Sequence, residues 1–210
     1  MATVDSLKSL LVEQVKDLYD AEKRLTKAIP KLAKASTNDE LSTALDEHLG
    51  ETENQVARLE QVFELLGEPA KGKPCEGMKG LIEEGDEHAK EDYDDDDLRD
   101  AMIIGSAQRV EHYEMAGYGT AIAHARLLGF EDVVDLLEAT LAEEKAADQK
   151  LTEVAETVVN LEAAADDQEA DEPVRRSTKR RGPVTSPRAT AANRNRNATR
   201  TASKRRSRRR

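Results

Sequence analysis

Two glutamates, Glu111 and Glu114, stand three residues apart in the segment QRVEHYEMAGYGTAI, which otherwise has the pattern of a buried helix. Residues at this spacing lie on one face of a helix, so both carboxylates should point into the interior together with Ala107 and Tyr118. Burying one unpaired carboxylate already costs several kcal/mol. Such a pair therefore requires protons, cationic side chains or bound metal ions.

Three other amphipathic segments are interrupted near their middle by polar residues in the same way. The interrupting residues are Glu22 in the first segment, His48, Thr52 and Gln55 with Glu51 beside them in the second, and Glu144 with Asp148 in the fourth. If the four segments align at mid-height, these side chains meet in one desolvated layer.

The composition of this layer favours metal binding over the alternatives. No Lys or Arg occupies the inward positions near mid-height, although Arg24, Arg58 and Arg109 lie on the flanks. Carboxylates with one or two imidazoles suit iron or manganese better than zinc or copper, and carboxylates in helical bundles can bridge two ions. We therefore predict two metal ions per bundle, iron or manganese. The candidate ligands are Glu22, His48, Glu51, Glu111, Glu114, Glu144 and Asp148. A metal-free layer of paired or protonated carboxyls is the alternative, with His48 then a hydrogen-bonded core residue.

Apolar residues at steps of three and four predict the helices that position these side chains. The predicted helices cover approximately residues 7–32, 37–66, 98–128 and 134–158. Pro30 is expected to kink the first helix or end it early. A capping box from Thr37 to Glu40 is expected to begin the second helix, and Gly67 and Gly129 to end the second and third.

A connection of about thirty residues joins the second helix to the third and decides the topology, since it can cross the length of a helix of ~45 Å. It holds the short amphipathic piece MKGLIEEGDEHA and the acidic run DYDDDD. The run suits the start of the third helix, where negative charge meets the positive end of the helix dipole. It lacks the glycine and the distal glutamate of a calcium loop. The predicted fold is all-α, a ferritin-like four-helix bundle with a long crossover between helices 2 and 3.

Charge divides the chain into two parts. All 43 acidic residues and 17 of the 32 basic residues lie within residues 1–172, and the remaining 15 basic residues lie within 175–210. Apolar periodicity ceases at about Ala163, so we predict a bundle over residues 1–162 and a disordered Arg-rich tail over 163–210. Residues 174–210 could neutralise DNA phosphates. The tail could equally contact the acidic bundle or act as a solubility arm.

The single cysteine, Cys75, excludes an internal disulfide framework and suits a reducing compartment. No hydrophobic run reaches the length of a membrane span, and no secretory signal follows Met1. We therefore expect a cytoplasmic protein without a membrane partner. Association with the nucleoid is the expected variant if the tail binds DNA.

Five segments, in order and with similar spacing, resemble the YciE/YciF family of bacterial ferritin-like stress proteins over residues 3–160. They are LYDAEKRLTKAIPKLAKA, HLGETENQVARLEQVFE, CEGMKGLIEE, QRVEHYEMAGYGTAI and LAEEKAADQKLTEVA. The family is similar to rubrerythrins, so the resemblance implies a four-helix bundle that forms a homodimer and holds a di-metal site. It also implies a role in stress protection, through iron oxidation or peroxide removal.

The rubrerythrin-like ligand pattern is matched only in part. Glu22 corresponds to the glutamate of the first helix, and Glu111 and Glu114 to the pair of the third. The second and fourth helices of such sites usually each supply Glu-x-x-His. This chain has Thr52-x-x-Gln55 and Glu144-x-x-Ala147 there, so the expected imidazoles are missing or relocated. Besides the di-metal enzyme, a DNA-associated protein and a metal-free structural dimer remain open.

Overall fold

The computed structural model describes residues 4–170, with side chains described over 4–165. The helices are α1 (Leu7–Ala35), α2 (Asp39–Leu66), α3 (Glu76–His88), α4 (Asp96–Leu127), α5 (Glu131–Val154) and α6 (Asn160–Ala170), with a π-helical turn, Ala155–Val159, between the last two. Helix α1 packs against α2, and α4 against α5, while contacts of α1 with α4 and of α2 with α5 close a bundle. The predicted all-α, ferritin-like four-helix bundle is confirmed, and α1, α2, α4 and α5 are its four helices.

The predicted crossover between the second and third bundle helices is also confirmed. Gly67 ends α2 in the left-handed conformation, with φ of 71°, which glycine adopts without steric cost. Within the crossover, α3 begins at Cys75, whose buried sulfur accepts a hydrogen bond from the Met78 amide. Helix α3 packs against α1 and α4. The acidic run begins α4 as expected, because Asp95 caps its first turn.

Two local predictions are wrong, the early end of α1 at Pro30 and the start of α2 at a Thr37 cap. Pro30 lies inside α1, which continues to Ala35. One missing backbone donor is tolerated there because Ile29 and Ala33 are buried against the rest of the core. The cap of α2 is Asn38 rather than Thr37, since the Asn38 side chain accepts from two amides of the first turn. The amide and hydroxyl of Thr37 instead donate to the buried carboxylate of Asp100.

The apolar core is divided into two clusters along the bundle axis. One half includes Leu11, Phe63 and Leu137. The other includes Ile29 and Ile103. The polar residues of the sequence pattern fall between these halves on every bundle helix, so the fold surrounds them with apolar side chains on both sides.

The helical part of the chain extends further than the predicted boundary at residue 162, because α6 continues to Ala170. By contacts the chain divides into two units, Met1–Glu172 and Pro173–Arg210. The second unit, and with it most of the predicted disordered tail, lies outside the described residues. Among the helices of residues 4–170, none combines the length and the apolar character needed to cross a membrane.

Candidate metal centre

Four carboxylates are buried at the centre of the bundle. Glu22 comes from α1, Glu111 and Glu114 from α4, and Glu144 from α5, and none is more than 2% exposed. The second helix faces them with polar but uncharged or imidazole side chains, which are the buried His48, Thr52 and Gln55. The structure therefore aligns the polar residues of the four bundle helices in one buried layer, as predicted.

His48 brings two of the carboxylates together. Its Nε2 lies 3.4 Å from Glu111 Oε1 and 3.8 Å from Glu144 Oε2. One ligand atom from each of the three residues lies within 4.8 Å of the others, a spacing that could hold a single ion. The His48 side chain is buried, whereas its neighbours on α2, Gly50 and Glu51, are more exposed.

The orientation of the His48 ring follows from its other nitrogen. Nδ1 lies 3.2 Å from Glu51 Oε2, and a carboxylate can only accept. In the neutral ring Nδ1 therefore carries the proton, and the Nε2 lone pair faces Glu111 and Glu144. This carboxylate–imidazole arrangement is the usual support of a metal-binding histidine.

Glu22 and Glu114 form the other part of the group. The buried Tyr118 hydroxyl donates a hydrogen bond to Glu22 Oε1. Glu22 Oε2 and both oxygens of Glu114 have no hydrogen-bond partner among the described residues. The same is true of Glu111 Oε2, both oxygens of Glu144 and His48 Nε2. Buried polar atoms are rarely left unpaired, so their concentration at one place fits either a bound cation or protons shared between the carboxyls, of Glu22 with Glu114 and of Glu111 with Glu144.

The electrostatics agree with this interpretation. Burial, with added repulsion from Glu144, raises the pKa of Glu22 to about 8. Burial also raises the pKa of Glu111 and Glu114 well above the ordinary value, and to a lesser extent that of Glu144. Without a cation, the bundle favours the protonated form of these carboxyls.

The nearest guanidinium does not neutralise the group. Arg58 donates to both oxygens of Glu143, at 2.8 and 2.9 Å, and to Thr140. Gln55 Nε2 donates to the same carboxylate at 3.1 Å. Among residues 4–165, no Lys or Arg forms an ion pair with any of the four central carboxylates. Within these residues, His48 is thus the one basic side chain that faces the four carboxylates.

Two predicted ligands lie outside the buried group. Glu51 is 44% exposed and contacts the group only through His48. Asp148 accepts a hydrogen bond from Gln108 and lies 3.4 Å from the exposed His112. Glu51 stood beside the apolar stripe of α2, and the helical phase accounts for its outward position. Asp148 was expected on the stripe of α5, but it competes with Ala147 for the inward position, and the structure half-buries both.

Sequence reasoning missed two features of the site. The sequence pattern places Tyr118 in the interior without naming a polar partner, yet its hydroxyl donates a hydrogen bond to Glu22. Its place one turn after Glu114 could have indicated this. Gln55 Oε1 is buried without a partner among the described residues, which makes it a further candidate ligand at the position where related sites carry an imidazole.

Comparison with known proteins agrees with the geometry. The family model described as a domain of unknown function, DUF892, matches residues 6–164. The chain belongs to the DUF892 family. Protein YciF of Escherichia coli K12 is 43% identical over 159 residues, which is 75% of this chain and 95% of that protein. The resemblance to the YciE/YciF family is thus confirmed.

Two solved structures are similar to the bundle of this DUF892 protein. The structure of the E. coli stress protein YciF is 42% identical with a TM-score of 0.71, covering 75% of this chain and 99% of that one. YcfI, called a putative structural protein, from Rhodopseudomonas palustris is 46% identical with a TM-score of 0.69, covering 71% and 94%. These likenesses extend over the bundle that carries the buried carboxylates.

Proposed function

We propose that this DUF892 protein binds two redox-active metal ions, iron or manganese, and acts in stress protection by iron oxidation or peroxide removal. The observation that carries the proposal is the burial of Glu22, Glu111, Glu114 and Glu144 beside His48, without a paired Lys or Arg among the described residues. The description of its relative YciF as a stress protein supports the physiological role.

The residues divide into two ligand groups. His48, Glu111 and Glu144 have the spacing for one ion. Glu22 and Glu114 are the ligands left for the second, and their carboxylates face the first group closely enough to raise its pKa values. A donor set dominated by carboxylate oxygen fits iron or manganese.

Two bound ferrous ions would supply the two electrons that, with two protons, reduce one hydrogen peroxide to two water molecules. The chain's own part is to hold and shield the site. Tyr118 fixes one oxygen of Glu22, Glu51 fixes the His48 ring, and the apolar halves of the core exclude bulk water. The carboxyls also release their protons when they become ligands.

Metal content tests the proposal directly. Purified full-length protein, reconstituted with Fe(II) without oxygen and freed of unbound metal, is expected to retain about two ions per chain. Adding peroxide should oxidise two ferrous ions for each peroxide consumed. Retention of fewer than one ion per chain would contradict the di-metal assignment and favour a metal-free structural dimer, the class suggested by the name of the R. palustris relative.

A second candidate function rests on residues 174–210. Fifteen Lys and Arg without any acidic residue after Glu172 favour binding to a polyanion. We expect the full chain to retard duplex DNA at low salt, with affinity falling steeply as salt rises. Deleting residues 174–210 should abolish the retardation while leaving metal content unchanged. Unchanged DNA affinity of the truncated chain would remove this function.

The homodimer and the cytoplasmic location stay predictions. Sedimentation of the full chain tests the first, because a dimer has twice the mass of the 23.2 kDa chain. Cell fractionation, with the nucleoid separated from the soluble fraction, tests the second.

A further inference from the structure

A cavity of about 190 Å³ lies between α2 and α5 and reaches the candidate metal centre. Its inner wall includes His48 and Glu111, and its outer part is formed by Glu47, Glu51 and Lys150. Glu47 and Lys150 are exposed, whereas His48 is 7% exposed and Glu111 is 2% exposed. The cavity therefore joins the protein surface to two candidate ligands.

The polar atoms along this cavity form a graded series. The exposed Glu47 stands at the outside, and the half-exposed Glu51 contacts His48 Nδ1 in the middle. At the inner end, His48 Nε2 and Glu111 Oε2 are buried without hydrogen-bond partners among the described residues. A cation moving inward can exchange exposed oxygen ligands for buried ones. At no point does it have to lose its water without gaining a protein ligand.

A second cavity reaches the same residues from another side but differs in chemistry. It has a volume of about 30 Å³ and is lined mostly by apolar side chains below α3, Leu25, Leu81 and Ile82 among them. Besides His48 and Glu111, its polar lining residues are Asp86, which pairs with Lys31 and Lys90, and Ser106, which hydrogen-bonds with His88. A hydrated divalent cation would therefore lose its water there with little replacement. The apolar cavity is therefore the poorer route for a charged ion.

We propose that the cavity between α2 and α5 is the route by which divalent cations reach the centre, and that Glu51 is the first protein ligand on that route. The inference rests on the proposed metal site but concerns access to it. Glu47 raises the local concentration of cations, Glu51 receives the ion, and His48 with Glu111 takes it from Glu51. Lys150 opposes the cation at the mouth.

Loading kinetics test the charge requirement. Co(II) is mixed with metal-free full-length protein in a stopped-flow instrument, and the visible absorbance of the bound ion is followed. Glu47→Gln/Glu51→Gln is expected to load roughly tenfold more slowly, because charges lining a cleft raise on-rates by about 10-fold or more. The amide introduced at position 51 retains a hydrogen-bonding oxygen for His48. Glu53→Gln, on the exposed face of α2, should load like the parent chain.

Two additional variants separate access from mere orientation of His48. Lys150→Gln should load faster than the parent, and added salt should slow the parent more than Glu47→Gln/Glu51→Gln. Ala147→Leu, which fills the cavity wall without changing charge, should slow loading several-fold, whereas Ala142→Leu, on an exposed position of α5, should not. A role confined to orienting His48 would change dissociation but neither of these effects.

Equilibrium metal binding distinguishes failure of the entry route from failure of the proposed metal site. The Mn(II) electron paramagnetic resonance signal, which falls as the ion binds, is expected to report the same final stoichiometry for the parent, Lys150→Gln and Ala147→Leu. Equal stoichiometry with loading rates unchanged in every variant of the cavity between α2 and α5 would overturn the route but not the metal site. The same conclusion would follow if loading were slowed only by Ile82→Trp, which lies in the apolar cavity. No bound Mn(II) in the parent would overturn both.

Discussion

The double variant Glu111→Gln/Glu114→Gln is expected to retain fewer than one metal ion per chain where the parent retains about two. The substitutions remove two carboxylates from the buried group, that of Glu111 beside His48 and that of Glu114 beside Glu22. An amide of the same size preserves packing but supplies a neutral, weaker ligand oxygen. Elemental analysis after reconstitution with Fe(II), followed by removal of unbound metal, measures the loss.

The unfolding temperature of this variant provides a second measurement, in which the variant should exceed the parent when no metal is present. Without metal, the variant should unfold at a higher temperature than the parent, because two buried ionisable groups have been removed. With excess Mn(II), only the parent should gain stability, by about 2.7 kcal/mol for each bound ion at a free ion concentration one hundred times the dissociation constant.

Glu83→Gln/Glu84→Gln is the matched control. It removes two exposed carboxylates from α3 and should change neither metal content nor the response to Mn(II). Equal metal retention by the two double variants is the result that would refute the assignment of Glu111 and Glu114 as ligands.

The central carboxylates could be predicted from the sequence because helical phase alone decides their burial. Glu22, Glu111, Glu114 and Glu144 each replace an apolar residue in a repeat of three and four, and the structure buries all four. His48 follows the same rule on α2. Phase alone does not explain Asp148, which continues the stripe of α5 four residues after Glu144 yet accepts a hydrogen bond from Gln108 outside the group.

Contacts between helices could not be predicted in this way. The pairing of Arg58 with Glu143 depends on which side chains of α2 and α5 meet in space, and periodicity carries no information about rotation between helices. The bond from Tyr118 to Glu22 joins residues 96 positions apart. The cavity between α2 and α5 depends on such details and has no local sequence pattern.

Local propensity gave wrong predictions where tertiary contacts outweighed it. Pro30 costs one hydrogen bond, yet burial of its neighbours keeps α1 intact. Thr37 and Glu40 have the residues of a capping box, but Asp100 occupies the Thr37 hydroxyl and amide. Asn38 then becomes the cap. A carboxylate from a distant helix decided the position of that helix start.

The stability of the metal-free protein is expected to fall as the pH rises from about 5 to about 8. Glu22 has a pKa of about 8 in the folded chain and an ordinary value once unfolded. Below the unfolded pKa, Glu22 is protonated in both states and its burial does not oppose folding. This contribution to the stability is lost as the pH rises through the folded pKa, because the carboxyl of the unfolded chain ionises first. For a carboxyl shifted this far the loss is on the order of 4 kcal/mol. Glu111 and Glu114 shift in the same direction.

Groups with lowered pKa values do not obscure the trend. Glu143 and Asp20 have pKa values below their ordinary ones, so their contribution is lost only as the pH falls below about 4. Urea unfolding of chelator-treated protein at intervals from pH 5 to pH 8.5 measures the effect. Glu22→Gln should flatten the profile, and Glu53→Gln should leave its slope unchanged.

Added Mn(II) should reverse the slope in the parent. Ionised carboxylates are the form that binds a cation, so ion binding strengthens as the protons leave. The metal-loaded protein should then be more stable at pH 8 than at pH 5, opposite to the metal-free form. A metal-free stability that stays constant or rises over this range would mean that the four carboxyls are ionised and compensated within the bundle, which would remove the electrostatic reason for placing cations there.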